Sequence, residues 1–205
     1  MRKRLAVSLA AVALFAVVGG IIAPVASSSA GADRVVRWDL VQFASGIVIL
    51  GGSDVSVDEA TGDVLTLTGS GHAEPGRELA FGGGTFVHEH ADGTEVAHGG
   101  FYVTDLLRWK PIEGGSLAGT GLVDGIGDAD TASSGILRLN INLVPDVNGT
   151  PGDPIPAILT IFCHLPESAV EVTEGVRVKV PAAGLDFKQD SDPAVAGFTL
   201  FHVVR

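Results

Sequence analysis

Short apolar runs, cut at close intervals by Gly, Asp, Asn and Pro, make up the chain after Asp33. They are rich in β-branched residues, and none carries the 3.6-residue apolar period of an amphipathic helix. Short strands separated by turn residues are typical of an all-β sandwich or barrel. We therefore predict one all-β domain over residues 33–205, a single antiparallel β-barrel or β-sandwich. About ten strands are expected, over residues 34–43, 46–50, 54–58, 63–69, 84–90, 95–103, 135–144, 157–165, 175–180 and 197–204.

Two of these runs predict how their strands are covered. Residues 135–144 alternate between apolar and polar side chains, which indicates a strand with one buried face and one wet face. Residues 157–165 are apolar on both sides, which predicts a central strand that is covered on both faces. The stretches 111–134 and 145–156 are rich in Gly, Pro and Asp and are expected to be long loops.

The N-terminus has the layout of a secretory signal peptide. Residues 1–4 are basic, residues 5–18 form an apolar run, and small residues lead to an Ala-x-Ala pattern at residues 30–32. We predict a helical signal peptide over residues 1–32, cleaved before Asp33, and Sec-type export to the exterior or the cell envelope. An uncleaved membrane anchor is the alternative, because the apolar zone nearly reaches membrane-spanning length.

The charge balance is strongly acidic. The chain has 13 Lys and Arg against 24 Asp and Glu, a formal net charge of −11. Residues 1–32 hold three of the basic residues and no acidic one, so cleavage leaves ten basic against 24 acidic residues, a net charge of −14. Such a charge repels phosphate backbones and anionic lipid headgroups. We therefore expect neither nucleic acid nor an anionic membrane surface as a partner.

Cys163 is the only cysteine of the chain. An intramolecular disulfide and a zinc site made of several thiolates are therefore excluded. Because Cys163 lies in an apolar run, we expect a buried free thiol. An exported chain without disulfides that is rich in Ala, Gly and Val is typical of bacteria.

Three familiar motifs are incomplete in this sequence. Residues 119–125 begin like a dinucleotide-binding loop, but Asp124 stands in place of the third glycine. Residues 114–118 lack the last glycine of the hydrolase nucleophile elbow. The acids at positions 124, 128 and 130 lack the closing glutamate of an EF-hand and are expected to form turns.

A cluster of three histidines, His88, His90 and His98, carries the clearest chemical signal. They fall on two predicted strands joined by residues 91–94, where Asp-Gly is a strong hairpin signal. A three-residue loop with a left-handed glycine places all three histidines on one face of the hairpin. A two-residue loop instead pairs His88 with Ala97 and moves His98 to the opposite face. We favour the three-residue loop.

With the two-residue loop, the residues of the hairpin resemble the motif of a known protein family. The spacing of Gly82, His88-x-His90 and Glu95 resembles the first metal-binding motif of the cupins. The resemblance implies a β-barrel in which two histidines and a glutamate hold one divalent metal ion. Tyr102 stands where that motif ends in glycine, and the second cupin motif, which would supply the fourth ligand, is absent. The candidate metal ligands are His88, His90, Glu95 and His98.

Three functions remain open from the sequence. The first is a non-enzymatic exported β-domain that binds an unidentified ligand or protein partner, or serves the cell envelope, without a cofactor. There the histidines would be solvated imidazoles near a hairpin tip. The second is a cupin-like enzyme, in which a metal ion on His88, His90 and Glu95 polarises a substrate oxygen or activates water. The third is a lipocalin-like carrier, a barrel with an apolar interior cavity.

Overall fold

The computed structural model describes residues 34–190 and 197–204, and these residues are mostly β-strand. The predicted signal peptide lies outside the described residues. Within them there is no α-helix, and three single turns of 3₁₀-helix occur at Pro75–Arg77, Ala129–Thr131 and Pro181–Ala183. None of these described helical segments is long or apolar enough to cross a membrane. The all-β prediction is confirmed.

Thirteen strands are present in the described part of the chain, more than the sequence predicted. The additional strands include the short β7 and β9. The sixth strand continues through residues 104–112, of which 104–110 had no predicted structure and 111–112 were predicted to be loop. The strands are β1 (Val35–Ala44), β2 (Ile47–Leu50), β3 (Ser53–Asp58), β4 (Val64–Glu74), β5 (Leu79–Glu89), β6 (Glu95–Ile112), β7 (Val123–Asp124), β8 (Ala132–Val147), β9 (Thr150–Pro151), β10 (Ile155–Cys163), β11 (Gly175–Val180), β12 (Leu185–Gln189) and β13 (Phe198–Val204).

All thirteen strands join one hydrogen-bonded sheet. Their order is β10-β11-β12-β3-β4-β5-β6-β8-β13-β1-β2-β7, with β9 paired to β8. Two further pairings, β8 with β10 and β1 with β4, connect strands that are distant in this order. β1 also pairs with β13 through seven residue pairs, from Val35 opposite Val204 to Val41 opposite Phe198.

The long strands β4 and β8 each divide one edge between two partners. Residues 64–68 of β4 pair with β3, and residues 70–73 pair with β1. In β8, residues 135–143 pair with β10 and residues 132–133 pair with β13. The other edges of β4 and β8 pair with β5 and β6. Two groups of strands therefore share β4, β5, β6 and β8. One group consists of β3, β12, β11 and β10, and the other consists of β1 and β13.

Large side chains of the core lie against glycine-rich backbone in β4 and β5. Trp38 is fully buried, and its ring lies against Gly71 and Gly82. A Cβ atom at Gly71 would lie 2.8 Å from Cε2 of Trp38, and one at Gly82 would lie 2.9 Å from Cζ2. An indole ring this close to two strands leaves no room for a side chain at either position.

The burial pattern confirms the sequence prediction for β8 and contradicts the one for β10. In β8, Leu137, Leu139, Ile141 and Leu143 are buried and the residues between them face solvent at least in part, as the alternation predicted. β10 is central, because it pairs with both β8 and β11. The prediction that both of its faces are covered is wrong, since Ile158, Thr160 and Phe162 are only partly buried.

Candidate functional site

The hairpin of β5 and β6 forms at the predicted Asp-Gly turn, and its register combines the two predicted alternatives. At the tip, His90 donates its backbone N–H to the carbonyl of Thr94 (2.8 Å), and Gly93 has a φ of 82°. This is the favoured three-residue loop. A β-bulge then shifts the register between Glu89 and His88, so that His88 lies opposite Ala97.

The bulge overturns the predicted arrangement of the histidines. Beyond it the strands pair as in the two-residue loop, with Val87 opposite His98. His88 and His98 therefore lie on opposite faces of the hairpin, and the prediction that all three histidines share one face is wrong. The physical reason is the extra residue Val96, which flips every side chain that follows it on β6.

The four candidate metal ligands fall into two separate groups. His98 pairs with Glu95 on the outer face (Nδ1 to Oε1, 2.7 Å), where both side chains are half-exposed. His88 and His90 instead share a carboxylate, Asp63, that the sequence did not single out. Among residues 34–190 and 197–204, no group of three or more His, Cys, Asp or Glu is arranged to hold a metal ion. The metal site remains a prediction.

Asp63 bridges the two histidines from the start of β4. Its Oδ2 lies 3.0 Å from Nε2 of His88, and its Oδ1 lies 3.2 Å from Nδ1 of His90. The turn before β4 fixes its backbone, because its N–H donates to the Thr61 hydroxyl and its carbonyl accepts from Asp58. Twenty-five residues separate Asp63 from His88. The contact depends on the pairing of Leu65 with His88, so no local spacing in the sequence could reveal it.

The two imidazoles set the electrostatics of this carboxylate. The hydrogen bond with His90 is the largest cause that holds the pKa of Asp63 below its usual value. Partial desolvation opposes this shift, and the hydrogen bond with His88 reinforces it. An anionic Asp63 in turn orients the His88 ring, because it fixes which nitrogen faces the carboxylate.

The His88 side chain reaches into an apolar cavity of about 460 Å³. Strands β4, β5, β6, β8, β10, β11 and β12 all contribute to the lining, together with the Pro181–Ala183 turn. The His88 ring stands edge-on to Phe187, with ring centroids 5.2 Å apart. His88 is the one polar side chain among the described residues that line the cavity, which are Leu65, Phe86, His88, Val96, Ala97, Leu143, Pro145, Ile155, Val180, Ala182, Ala183, Leu185 and Phe187.

This arrangement suits a small ligand that is mostly apolar. Ligand cavities typically measure about 300–1,000 Å³ and combine apolar walls with a few placed polar groups. Here the lining residues can bury the apolar surface of a ligand. Because Nε2 of His88 donates to Asp63, Nδ1 of the neutral ring can accept one hydrogen bond. The sequence could not reveal most of the lining, because seven strands supply it from positions spread over residues 65–187.

Comparison with known proteins adds no relative. No protein-family model, curated protein or solved structure matches the chain.

Proposed function

We infer that eight strands close into a β-barrel and that the His88 cavity is one mouth of this barrel. Each of β3, β4, β5, β6, β8, β10, β11 and β12 pairs with the next, and β12 pairs back to β3. Seven of these eight strands contribute side chains to the cavity. Small barrels hold a single small ligand at such a position. Of the two architectures that the sequence left open, these pairings favour the barrel over the sandwich.

We propose that the protein is a non-enzymatic binding protein for a small apolar ligand, comparable in design to a lipocalin-like carrier. The observation that carries the proposal is the apolar lining of the cavity around one oriented histidine. Burial of ligand surface there contributes roughly 25 cal/mol per Å² of apolar area removed from water. A hydrogen bond that the ligand donates to Nδ1 of His88 would then fix its polar end.

Titration with N-phenyl-1-naphthylamine, a neutral dye that fluoresces in apolar surroundings, tests this proposal. We expect one site with a dissociation constant on the order of micromolar. The substitution Ala182→Trp places an indole ring at the cavity wall and should weaken dye binding by about tenfold or more. Ala169→Trp is the matched control, because Ala169 is also exposed but lies outside the cavity. Equal dye affinity in the two variants would show that the dye does not bind in the His88 cavity and would contradict the proposal.

We also propose that the protein is exported and that its mature chain begins at Asp33. The order of basic, apolar and small residues in the first 32 positions supports this. The resulting charge of −14 supports partners other than nucleic acid and anionic membranes. Intact-mass measurement of the protein recovered outside the cytoplasm should give the mass of residues 33–205. A mass that includes residues 1–18 would contradict cleavage.

A further inference from the structure

A second, smaller cavity lies in another part of the fold and shares no lining residue with the His88 cavity. Its volume is about 160 Å³. This is close to the ~150 Å³ of an engineered protein cavity that accommodates benzene. The walls are mainly apolar and come from β1, β2, β13 and two loops. The lining residues are Val41, Phe43, Val48, Leu117, Thr120, Leu122, His164, Leu165, Pro166, Glu174, Phe198, Thr199 and Leu200.

Glu174 brings a carboxyl group into this apolar wall. Its Oε1 accepts a hydrogen bond from the backbone N–H of Thr199 (2.9 Å). The Thr199 hydroxyl is closer to the carbonyl of Phe162 (2.7 Å) than to Glu174 (3.4 Å), so its proton goes to that carbonyl. In the described part of the chain no Lys or Arg forms an ion pair with Glu174. Within residues 34–190 and 197–204, the carboxylate therefore has no Lys or Arg as an ion-pair partner.

Three titratable groups lie near Glu174, and none of them forms an ion pair with it in the described residues. Asp54 lies on β3, Cys163 ends β10, and His164 follows it in the cavity lining. Burial is the main cause that raises the pKa of Glu174 to about 7, and the charge of Asp54 adds to it. Burial also raises the pKa of the Cys163 thiol. Around neutral pH the carboxyl of Glu174 is thus divided between its neutral and anionic forms.

Two aromatic rings stand where the cavity meets solvent. Phe43 and Phe198 pack edge to face with centroids 4.4 Å apart, and each is about two-fifths exposed, at 42% and 41%. Aromatic faces attract organic cations, and quaternary ammonium groups are bound by such rings in proteins.

We propose that this cavity binds a small alkylammonium cation, with Glu174 as the counter-charge and Phe43 and Phe198 as aromatic walls. The alkyl groups of such a cation suit the apolar lining. Its charge meets a carboxylate that forms no ion pair with any Lys or Arg among the residues that the structure describes. The site is independent of the proposed function, because the two cavities have separate linings.

Calorimetric titration of the full mature chain with tetramethylammonium chloride tests this site, since that cation carries its charge at every pH. We expect binding to strengthen about tenfold or more from about pH 5.5 to about pH 8.5 as Glu174 ionises. tert-Butanol, which is neutral and of similar size, should bind weakly and without this pH dependence. Equal binding of the alcohol would overturn the proposal.

Three variants complete the test. Glu174→Gln should weaken tetramethylammonium binding about tenfold or more at pH 8.5, and Glu171→Gln, which removes an exposed acid three residues away, should not. Equal losses in both would indicate unspecific attraction to an acidic protein and would refute the site. Phe198→Leu keeps an apolar side chain but removes the aromatic ring, and it should weaken binding of tetramethylammonium by about threefold or more, and more than it weakens binding of tert-butanol. Unchanged binding of tetramethylammonium in Phe198→Leu would refute the role of the aromatic rings. The variant Ala182→Trp, which alters the other cavity, should bind tetramethylammonium as the parent does.

Discussion

Substitution of the buried Asp54 by Asn should change how the stability of the protein depends on pH. Asp54 is 1% exposed on β3, and burial is the main cause that raises its pKa from 3.8 to about 7. Backbone amides, that of Val176 foremost, lower it in part. One pKa unit corresponds to about 1.4 kcal/mol, so the shift is equivalent to about 4 kcal/mol at most.

The sign follows from proton binding in the two states. Between about pH 4 and pH 7 the folded protein holds a proton on Asp54 that the unfolded chain has released. The free energy of unfolding therefore falls as the pH rises through this window and levels off above it. Below about pH 4 both states are protonated, and the contribution of Asp54 no longer changes with pH. An Asn at this position does not titrate and should remove this part of the pH dependence.

Urea denaturation from about pH 4.5 to about pH 8.5, followed by tryptophan fluorescence, measures this effect. The stability of Asp54→Asn relative to the parent should rise with pH, by up to about 4 kcal/mol over the window. The exposed residue Asp105 provides the control, since Asp105→Asn should run parallel to the parent. A constant difference between Asp54→Asn and the parent across this range would refute the reasoning, because the carboxyl would then titrate alike in both states.

Two further predictions concern close backbone packing and a surface ion pair. Gly84→Ala should cost more than about 2 kcal/mol in denaturant unfolding, because its Cβ would overlap the carbonyl oxygen of Thr68. Gly100→Ala on the next strand has room, with its nearest atom at 3.5 Å, and a similar loss there would contradict this explanation. The hydrogen bond from Arg177 is the main cause that lowers the pKa of Asp186 to about 2. Asp186→Asn should therefore cost up to about 1 kcal/mol above pH 4, and this loss should vanish as the pH falls through about 2.

The hairpin shows how far local sequence signals extend. The Asp-Gly pair predicted the turn and the left-handed Gly93, because these are properties of the turn residues themselves. The bulge at Val96 has no such signal, since it depends on which register buries the better set of side chains. One extra residue was enough to separate His88 from His98. The resemblance to the cupin motif concerned only sequence spacing, which does not determine the face of a strand.

The cavity shows why the rest of the site could not be predicted. Alternation in residues 135–144 identified the buried face of β8, because burial on one face imposes a period of two. It could not indicate which strands stand opposite. Asp63 reaches His88 through the pairing of β4 with β5, and Phe187 reaches it from β12. Such contacts depend on the order of strands in the sheet, on which local patterns carry no information.

The pairing of Val35 with Val204 has a consequence for folding kinetics. It joins the first described strand to the last, so this part of the sheet cannot form until almost the whole chain is available. Contacts between such distant residues carry a large loop-closure entropy, and proteins dominated by them fold over milliseconds to seconds. Until β1 and β13 dock, the segments of β4 and β8 that pair with them remain unpaired strand edges. Unpaired edges are templates for aggregation, so a chain that lacks its last strand should aggregate more readily than the complete chain.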